Sequence, residues 1–240
     1  MKIWYHILVL LFFPVLQLTA QDGIVTHNDF TAQTLVKDIF ASGACDNIDL
    51  ITPIGNTEGL GYFENGSATI GLDKGIILAT GPTWHAGGPN SSSDRSGNLS
   101  GPNGDNDLRR LSEGTVFDAV GLAFDFVPLD SFVSFRYVFA SEEYCEFVGS
   151  NYNDVFGFFA SGPGLNGPFT SGAENVARIP GTEDFVAINS VNYEQNSQYY
   201  IANERPEDRL ACGLESTVTP HLNQNEYDGF TKVLTDRLKV

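Results

Sequence analysis

The stretch GLAFDFVPLDSFVSFRYVFA, residues 121–140, predicts two successive β-strands. In its first part, large apolar side chains alternate with small or charged ones. Pro128 ends that run, because proline cannot donate a hydrogen bond to a neighbouring strand. The second part alternates in the same way over 133–140, with one apolar face and one mixed face. Because successive side chains of a strand point to opposite faces, the pattern indicates strands that cover a core with one side.

Further short apolar runs between turn residues predict more strands. The run 155–160 is apolar on both faces, which is typical of a central strand buried on both sides. Near the start, Asn28 and Asp29 can cap a helix with apolar residues at helical spacing over 32–40, and Gly43 would stop it. The other predicted strands are 48–51, 75–80, 185–191, 198–201 and 229–238. The sequence therefore predicts an all-β fold, an antiparallel β-sandwich or jelly roll with one short N-terminal helix.

Residues 81–107 show no strand or helix periodicity and are rich in Gly, Ser and Asn. Structureless loops of this length are uncommon inside a compact domain. Such a segment is most often a binding loop or a locally disordered stretch, and the sequence leaves both open.

The first twenty residues have the pattern of a secretory signal peptide. A lysine and an apolar run at 7–13 precede small residues at 19–20. A membrane anchor is the alternative, but this run is shorter than the about 20 residues that a spanning helix needs, and Pro14 interrupts it. No later segment is apolar enough to cross a bilayer. We therefore expect 1–20 to be removed and 21–240 to form one domain, secreted or held at the cell surface.

The composition excludes two broad classes of protein. The chain carries 13 Lys and Arg against 30 Asp and Glu, a net charge of −17. So acidic a chain is repelled by a phosphate backbone, which excludes nucleic acid as a partner. The 18 Phe and 9 Tyr are too many for an intrinsically disordered chain.

Acidic residues gather in 137–177, a segment without Lys or Arg. Carboxylates near amide and backbone carbonyl oxygens suit Ca²⁺, which takes about six to eight oxygen ligands. The alternative is that these acids are solvated, or that Asp105 or Asp107 caps a helical turn at 108–111. No EF-hand spacing is present, so the calcium prediction depends on ligand type alone. The candidate calcium ligands are Asp105, Asp107, Glu142, Glu143, Asn153 and Asp154.

The adjacent Glu142 and Glu143 raise the question of a glycosidase. Sugar cleavage needs two carboxyl groups about 5–9.5 Å apart. Neighbours on one strand point to opposite faces, so Glu143 would need Asp154 or Glu146 as its partner. No nucleophile elbow or HExxH motif supports another enzyme class, and the GxGxxG match at 162–167 precedes a loop rather than a helix. We expect no catalysis, with a polysaccharide-binding or polysaccharide-cleaving jelly roll as the alternative. Its sugar-stacking surfaces would come from Trp84, Tyr62 and Tyr152.

Three cysteines, Cys45, Cys145 and Cys212, follow the predicted signal peptide. In an oxidising compartment they allow one disulfide with one thiol left over. The third cysteine is then a free thiol, forms an intermolecular bond, or pairs with a residue outside this chain. No CxxC motif is present, so a zinc ribbon or a thioredoxin-type site is not expected.

Taken in order, several motifs of the chain resemble the choice-of-anchor L domain, a family of exported bacterial surface proteins common in Bacteroidetes. The motifs are GIILATG (75–81), FDF (124–126), YVFASEEY (137–144), NDVFGFF (153–159), SGPG (161–164), IPGT (179–182), AINSVN (187–192) and YDGF (227–230). They cover nearly all of the chain after residue 20. The resemblance implies export and display at the cell surface, often through the type IX route. It does not imply catalysis, because no catalytic activity is established for the family.

The resemblance also sets expectations for the end of the chain and for the disulfide. Family members continue beyond the Asp-Gly-Phe strand, usually with a further cysteine, so we expect a sequence that lacks its C-terminal strands and anchor. This implies that Cys45 pairs with Cys145 and that the partner of Cys212 lies in the missing segment. We therefore expect a calcium-stabilised surface module for binding or adhesion. Its partner would be an extracellular glycan or a surface protein, contacted through the loop 81–107 and the acidic strand ends.

Overall fold

The computed structural model describes residues 23–41, 47–99, 104–216 and 224–239. The predicted signal peptide at 1–20, Cys45 and part of the predicted binding loop therefore lie outside the described residues. The strands are β1 (Val25–His27), β2 (Asn47–Ile54), β3 (Leu60–Glu64), β4 (Gly75–Leu78), β5 (Gly121–Val127), β6 (Phe132–Tyr137), β7 (Ala140–Ser141), β8 (Phe159–Ala160), β9 (Glu174–Asn175), β10 (Tyr200–Ala202), β11 (Gly229–Thr231) and β12 (Leu234–Lys239). The helices are α1 (Ala32–Thr34), continued by a π-helical turn (Leu35–Phe40), α2 (Asn106–Ser112) and α3 (Pro206–Ala211).

The strands form five small antiparallel sheets in the described part of the chain. Their strand orders are β1-β3-β4, β10-β11-β7, β12-β6, β2-β5 and β8-β9. Strands predominate over a few short helices, so the all-β prediction is confirmed. The sandwich or jelly-roll arrangement of the sheets stays a prediction.

The stretch 121–140 forms β5 and β6 as its alternation predicts. β5 pairs with β2, and β6 pairs with β12. The first helical segment packs its buried Val36 beside Ile48 of β2, with Phe124 and Phe126 of β5 against the same cluster. The alternating residues of β5 therefore cover a core on one side.

The N-terminal helix begins later than predicted. Its N-cap is Thr31, whose hydroxyl accepts a hydrogen bond from the backbone N–H of Thr34. Asn28 instead donates its side-chain amide to the backbone carbonyls of Glu58 and Leu60, at 2.9 and 3.1 Å. The amide of Asn28 therefore joins the helix entry to the start of β3, which sequence spacing could not reveal.

Two predicted strands are mostly irregular in the structure. In 155–160 only the last two residues are a strand, and 185–191 forms isolated bridges and turns. The two segments still face each other, since Phe156 donates its N–H to the Val186 carbonyl at 3.0 Å. A side chain interrupts the ladder: Asn175 accepts the backbone N–H of both Phe158 and Ala177 with its amide oxygen. The apolar side chains of 185–191 are mostly buried, whereas those of 155–160 are half-buried except for Ala160.

The largest buried cluster surrounds Tyr144, which is fully inaccessible to solvent. Its hydroxyl donates to the backbone carbonyl of Val191 at 2.7 Å, and its ring lies 4.9 Å from that of Tyr200 in β10. Ile179 and Ile188 are buried in the same cluster. This core fixes the segment that follows β7, where the acidic residues lie.

Candidate functional site

The three-stranded sheet β10-β11-β7 ends in a row of polar residues. Ala202, Gly229 and Ser141 are paired across the three strands. One residue beyond each of them stand Asn203, Asp228 and Glu142. The backbone N–H of Asn203 donates to the carbonyl of Asp228 at 2.7 Å, so the pairing continues past the end of β10. Residues opposite each other on neighbouring strands are close on one face, so this row brings two acids and an amide together.

The predicted binding loop covers this row. Asn90 donates its side-chain amide to the backbone carbonyl of Asn203 at 2.9 Å and to Asp228 Oδ1 at 2.8 Å. The next residue, Ser91, donates both its backbone N–H and its hydroxyl to the carboxylate of Glu226. Hydrogen bonds from two successive residues thus hold the described part of the loop against the segment that leads into β11. We refer to Asn90, Glu142, Asn203 and Asp228 as the oxygen row.

Several oxygens of the oxygen row are buried and have no hydrogen-bond partner in the part of the chain that the structure describes. They are Asn90 Oδ1, Asn203 Oδ1, Asp228 Oδ2 and both carboxylate oxygens of Glu142. A buried polar atom left without a partner costs about 1–3 kcal/mol, and more when it is charged. The oxygen row is therefore an unusual concentration of unpaired acceptors.

Burial raises the pKa of both carboxyl groups in the row. For Glu142 it raises the pKa to about 9, and the nearby charges of Asp228 and Glu226 add to the effect. For Asp228 it raises the pKa to about 8, although the hydrogen bond from Asn90 opposes the shift. Each group is thus hard to ionise in the folded chain unless positive charge is supplied.

The other buried acids nearby have partners. Glu226 accepts from Ser91 and lies 3.6 Å from the guanidinium of Arg95. Glu204 is bound by Arg209 at 2.9 Å and by the hydroxyl of Tyr200. Each of these two acids thus has an arginine partner, whereas Glu142 and Asp228 form no salt bridge among the described residues.

Glu143 and Asp154 form a second acidic pair next to Ser141, whose hydroxyl accepts the backbone N–H of Glu143. Asp154 accepts the hydroxyl of Ser141 at 2.7 Å, and burial raises the pKa of Asp154. Burial, with the charges of Asp154 and Glu146, raises the pKa of Glu143 to about 7. The side-chain oxygen of Asn153 accepts the backbone N–H of Asn189 at 3.1 Å and so holds the turn that contains Asn189.

Asp105 and Asp107 have structural roles at α2. Asp105 is its N-cap and accepts the backbone N–H of Asp107 and Leu108 at 2.8 and 3.0 Å. Asp107 accepts the backbone N–H of Thr170. No three carboxylates of the predicted calcium ligands offer oxygens within 4.8 Å of one another among the described residues. The structure therefore does not gather that set around one point. It places Glu142 in the oxygen row with Asp228, Asn90 and Asn203, which the sequence did not single out.

The cysteine pairing corrects the expectation from sequence. Cys145 forms a disulfide with Cys212, so the expected pair of Cys145 with Cys45 is wrong. Cys145 follows β7 and Cys212 follows α3, the helix after β10; both strands flank β11. Glu146 lies beside the two sulfurs, but disulfide sulfurs carry no thiolate to bind a metal.

The predicted stacking residues lie at separate places. Trp84 is 59% exposed on a 3₁₀ turn of the loop, with the His85 ring at its edge and the guanidinium of Arg95 5.4 Å from its ring centroid. Tyr152 is exposed against Phe147, whereas Tyr62 lies in β3 and stacks on His27. Of these three residues, Trp84 is the one that lies on the predicted binding loop beside a positively charged group, the guanidinium of Arg95.

A family comparison accounts for almost all of the chain. The model of the choice-of-anchor L domain matches residues 24–240. No curated protein and no solved structure matches the chain. Among the described residues, no helix has both the length and the apolar character needed to cross a membrane.

Proposed function

Because the chain belongs to the choice-of-anchor L domain family, we propose that it is an exported cell-surface module that binds an extracellular glycan or a surface protein. The family points to a surface or exported protein. The signal-peptide pattern at 1–20 supports export, and the type IX route is the one that the family resemblance implies.

The exposed side chain of Trp84 is the observation that supports the binding role. Its indole is mostly exposed, yet it stands on a short helical turn beside Arg95, and the loop that holds it is bonded to Asp228 and Glu226. Tryptophan and arginine at well-held surface positions are the residues that dominate binding energies. An aromatic face with a neighbouring cation suits both a sugar ring and an acidic or aromatic protein side chain.

The test is a binding measurement with a matched pair of variants. The chain from residue 21 is applied to an array of bacterial and host polysaccharides and to immobilised surface proteins. We expect Trp84→Ala to lose binding by at least tenfold, about 1.4 kcal/mol. Phe117→Ala removes a comparably exposed ring elsewhere, so its binding should be unchanged. Equal binding by the Trp84→Ala variant and the unmodified chain would contradict this role.

A separate experiment tests export. The full chain, produced in a bacterium with a secretion pathway, should appear outside the cytoplasm with Gln21 as its first residue. A product that keeps residues 1–20 in the cytoplasm would contradict the proposal.

The second candidate is a polysaccharide-cleaving protein, and the raised pKa of Glu143 is the observation that favours it. A carboxyl group with a pKa of about 7 is suited to act as a general acid near neutral pH. An assay for new reducing ends separates the candidates: release that Glu143→Gln abolishes indicates an enzyme, and binding without release indicates a module.

A further inference from the structure

We propose that the oxygen row binds one Ca²⁺ ion, held between the end of the β10-β11-β7 sheet and the loop that carries Trp84. The ligands would be the carboxylates of Glu142 and Asp228 and the side-chain amide oxygens of Asn90 and Asn203. The inference concerns a site of its own and does not depend on what the surface module binds.

The two asparagines supply the observation that points to a cation. Asn90 is 7% exposed and Asn203 is fully buried, and the Oδ1 of each has no partner in the described part of the chain. The amide nitrogen of Asn90 donates to Asp228 and to the Asn203 carbonyl, which fixes which end of the amide is the oxygen. Asn203 likewise donates its amide to the backbone carbonyl of Tyr227 at 2.6 Å. Both amides thus have their donors engaged and their acceptor oxygens unused.

The carboxylates add the charge that a divalent cation requires. Asp228 is fully buried with Oδ2 unpaired, and neither oxygen of Glu142 has a partner among the described residues. The charge of Arg95 lowers the pKa of Glu142, but its guanidinium contacts Glu226 and Ser91. Two like charges at neighbouring positions of a sheet repel each other, and a bound cation would turn that repulsion into attraction.

The ligand chemistry favours calcium over other metals. The unpaired atoms are all oxygens, two carboxylates and two amides, which suits a hard cation. Ca²⁺ accepts about six to eight oxygens at varied angles, including bidentate carboxylates and amide carbonyls. Mg²⁺ keeps several waters and is commonly held by one or two carboxylates. Five unpaired protein oxygens in a buried place therefore match calcium better.

The site would also fix the loop. Asn90 is the loop residue of the row, and Ser91 and Arg95, which follow it, contact Glu226. An ion shared by Asn90, Glu142 and Asp228 would bind the loop to two strand ends at once. Calcium would then determine how firmly Trp84 is held at the surface.

Thermal unfolding of the chain from residue 21 tests the site. At CaCl₂ about 100-fold above Kd, the melting temperature should rise by about 5–10 °C over that in EDTA. Isothermal titration with CaCl₂ should give one ion per chain. Equal melting temperatures in CaCl₂ and EDTA would overturn the proposal, and so would an equal increase with MgCl₂ at the same concentration.

Substitutions locate the ion. Glu142→Gln and Asp228→Asn should each abolish the calcium-induced increase. Neither should unfold the chain, because each replaces a carboxyl group, which has at least one oxygen without a partner among the described residues, by an amide of nearly the same size. Asp154→Asn is the matched control: it neutralises a buried carboxylate that already has a hydrogen-bond partner, Ser141, and should keep the full increase. An increase that persists in Glu142→Gln and Asp228→Asn places the ion elsewhere and overturns the proposal.

Discussion

Removing the disulfide between Cys145 and Cys212 should destabilise the fold strongly. The two cysteines are 67 residues apart, and closing a loop of that length reduces the entropy of the unfolded chain by an amount worth about 4 kcal/mol. A domain of this size has a free energy of unfolding of about 5–15 kcal/mol, so the bond is a large part of the total. We therefore expect Cys145→Ala/Cys212→Ala to lose about 4 kcal/mol.

Urea unfolding followed by far-ultraviolet circular dichroism measures this loss. Trp84 is the only tryptophan after residue 20 and is mostly exposed, so its fluorescence would report poorly on the core. The midpoint should fall in the double variant and in the reduced unmodified chain. The reductant should not change the double variant further. Because the disulfide restricts the unfolded chain, its removal should also increase the slope, so the free energies extrapolated to zero urea are the quantities to compare.

The control is Cys45→Ala, which leaves the observed disulfide in place. Its free energy of unfolding should stay within about 0.5 kcal/mol of that of the unmodified chain, since the change touches neither bonded sulfur. Peptide mapping without reductant should recover Cys145 and Cys212 in one linked product. A map that links Cys45 to Cys145, or a double variant as stable as the unmodified chain, would refute the reasoning.

Two further predictions concern the buried groups near the site. Tyr144→Phe keeps the ring but leaves the Val191 carbonyl without its donor, so it should cost about 1–3 kcal/mol in urea unfolding; a loss below about 0.5 kcal/mol would contradict this. Burial raises the pKa of Asp154 in the folded chain above its unfolded value. Between those two pKa values the folded state binds more protons, so stability falls as pH rises. Asp154→Asn lacks this contribution and should gain stability relative to the unmodified chain as pH increases through that window. A stability difference that does not change with pH would contradict the assignment.

The sequence predicts strands well where the alternation is local. The residues of 121–140 form β5 and β6 because one face of each strand covers the core, and a period of two is visible in the chain itself. The prediction of a continuous strand over 155–160 was wrong, and the reason lies outside that run. The side-chain oxygen of Asn175 accepts the backbone N–H of Phe158, which a neighbouring strand would otherwise bind, and no property of the run itself indicates this.

The candidate site was harder to predict than the strands. The sequence shows an acidic region after 137, and Glu142 is one of the calcium ligands predicted in it. The alternative role of Asp105 as a helix cap is confirmed by the structure. The other members of the oxygen row are Asn90 in the loop, Asn203 just after β10 and Asp228 just before β11. Their meeting depends on which strands pair and in which register, and neither can be read from local spacing.

One pairing explains both the error in the disulfide and the position of the oxygen row. β11 lies between β7 and β10, so the residues that follow β7 come beside those that follow β10. Glu142 and Cys145 follow β7, while Asn203 and Cys212 follow β10. The disulfide and the proposed calcium ion would therefore join the same two segments through two independent links, one covalent and one ionic. The register of β11 sets the neighbours of Glu142, and α3 then returns the chain so that Cys212 reaches Cys145.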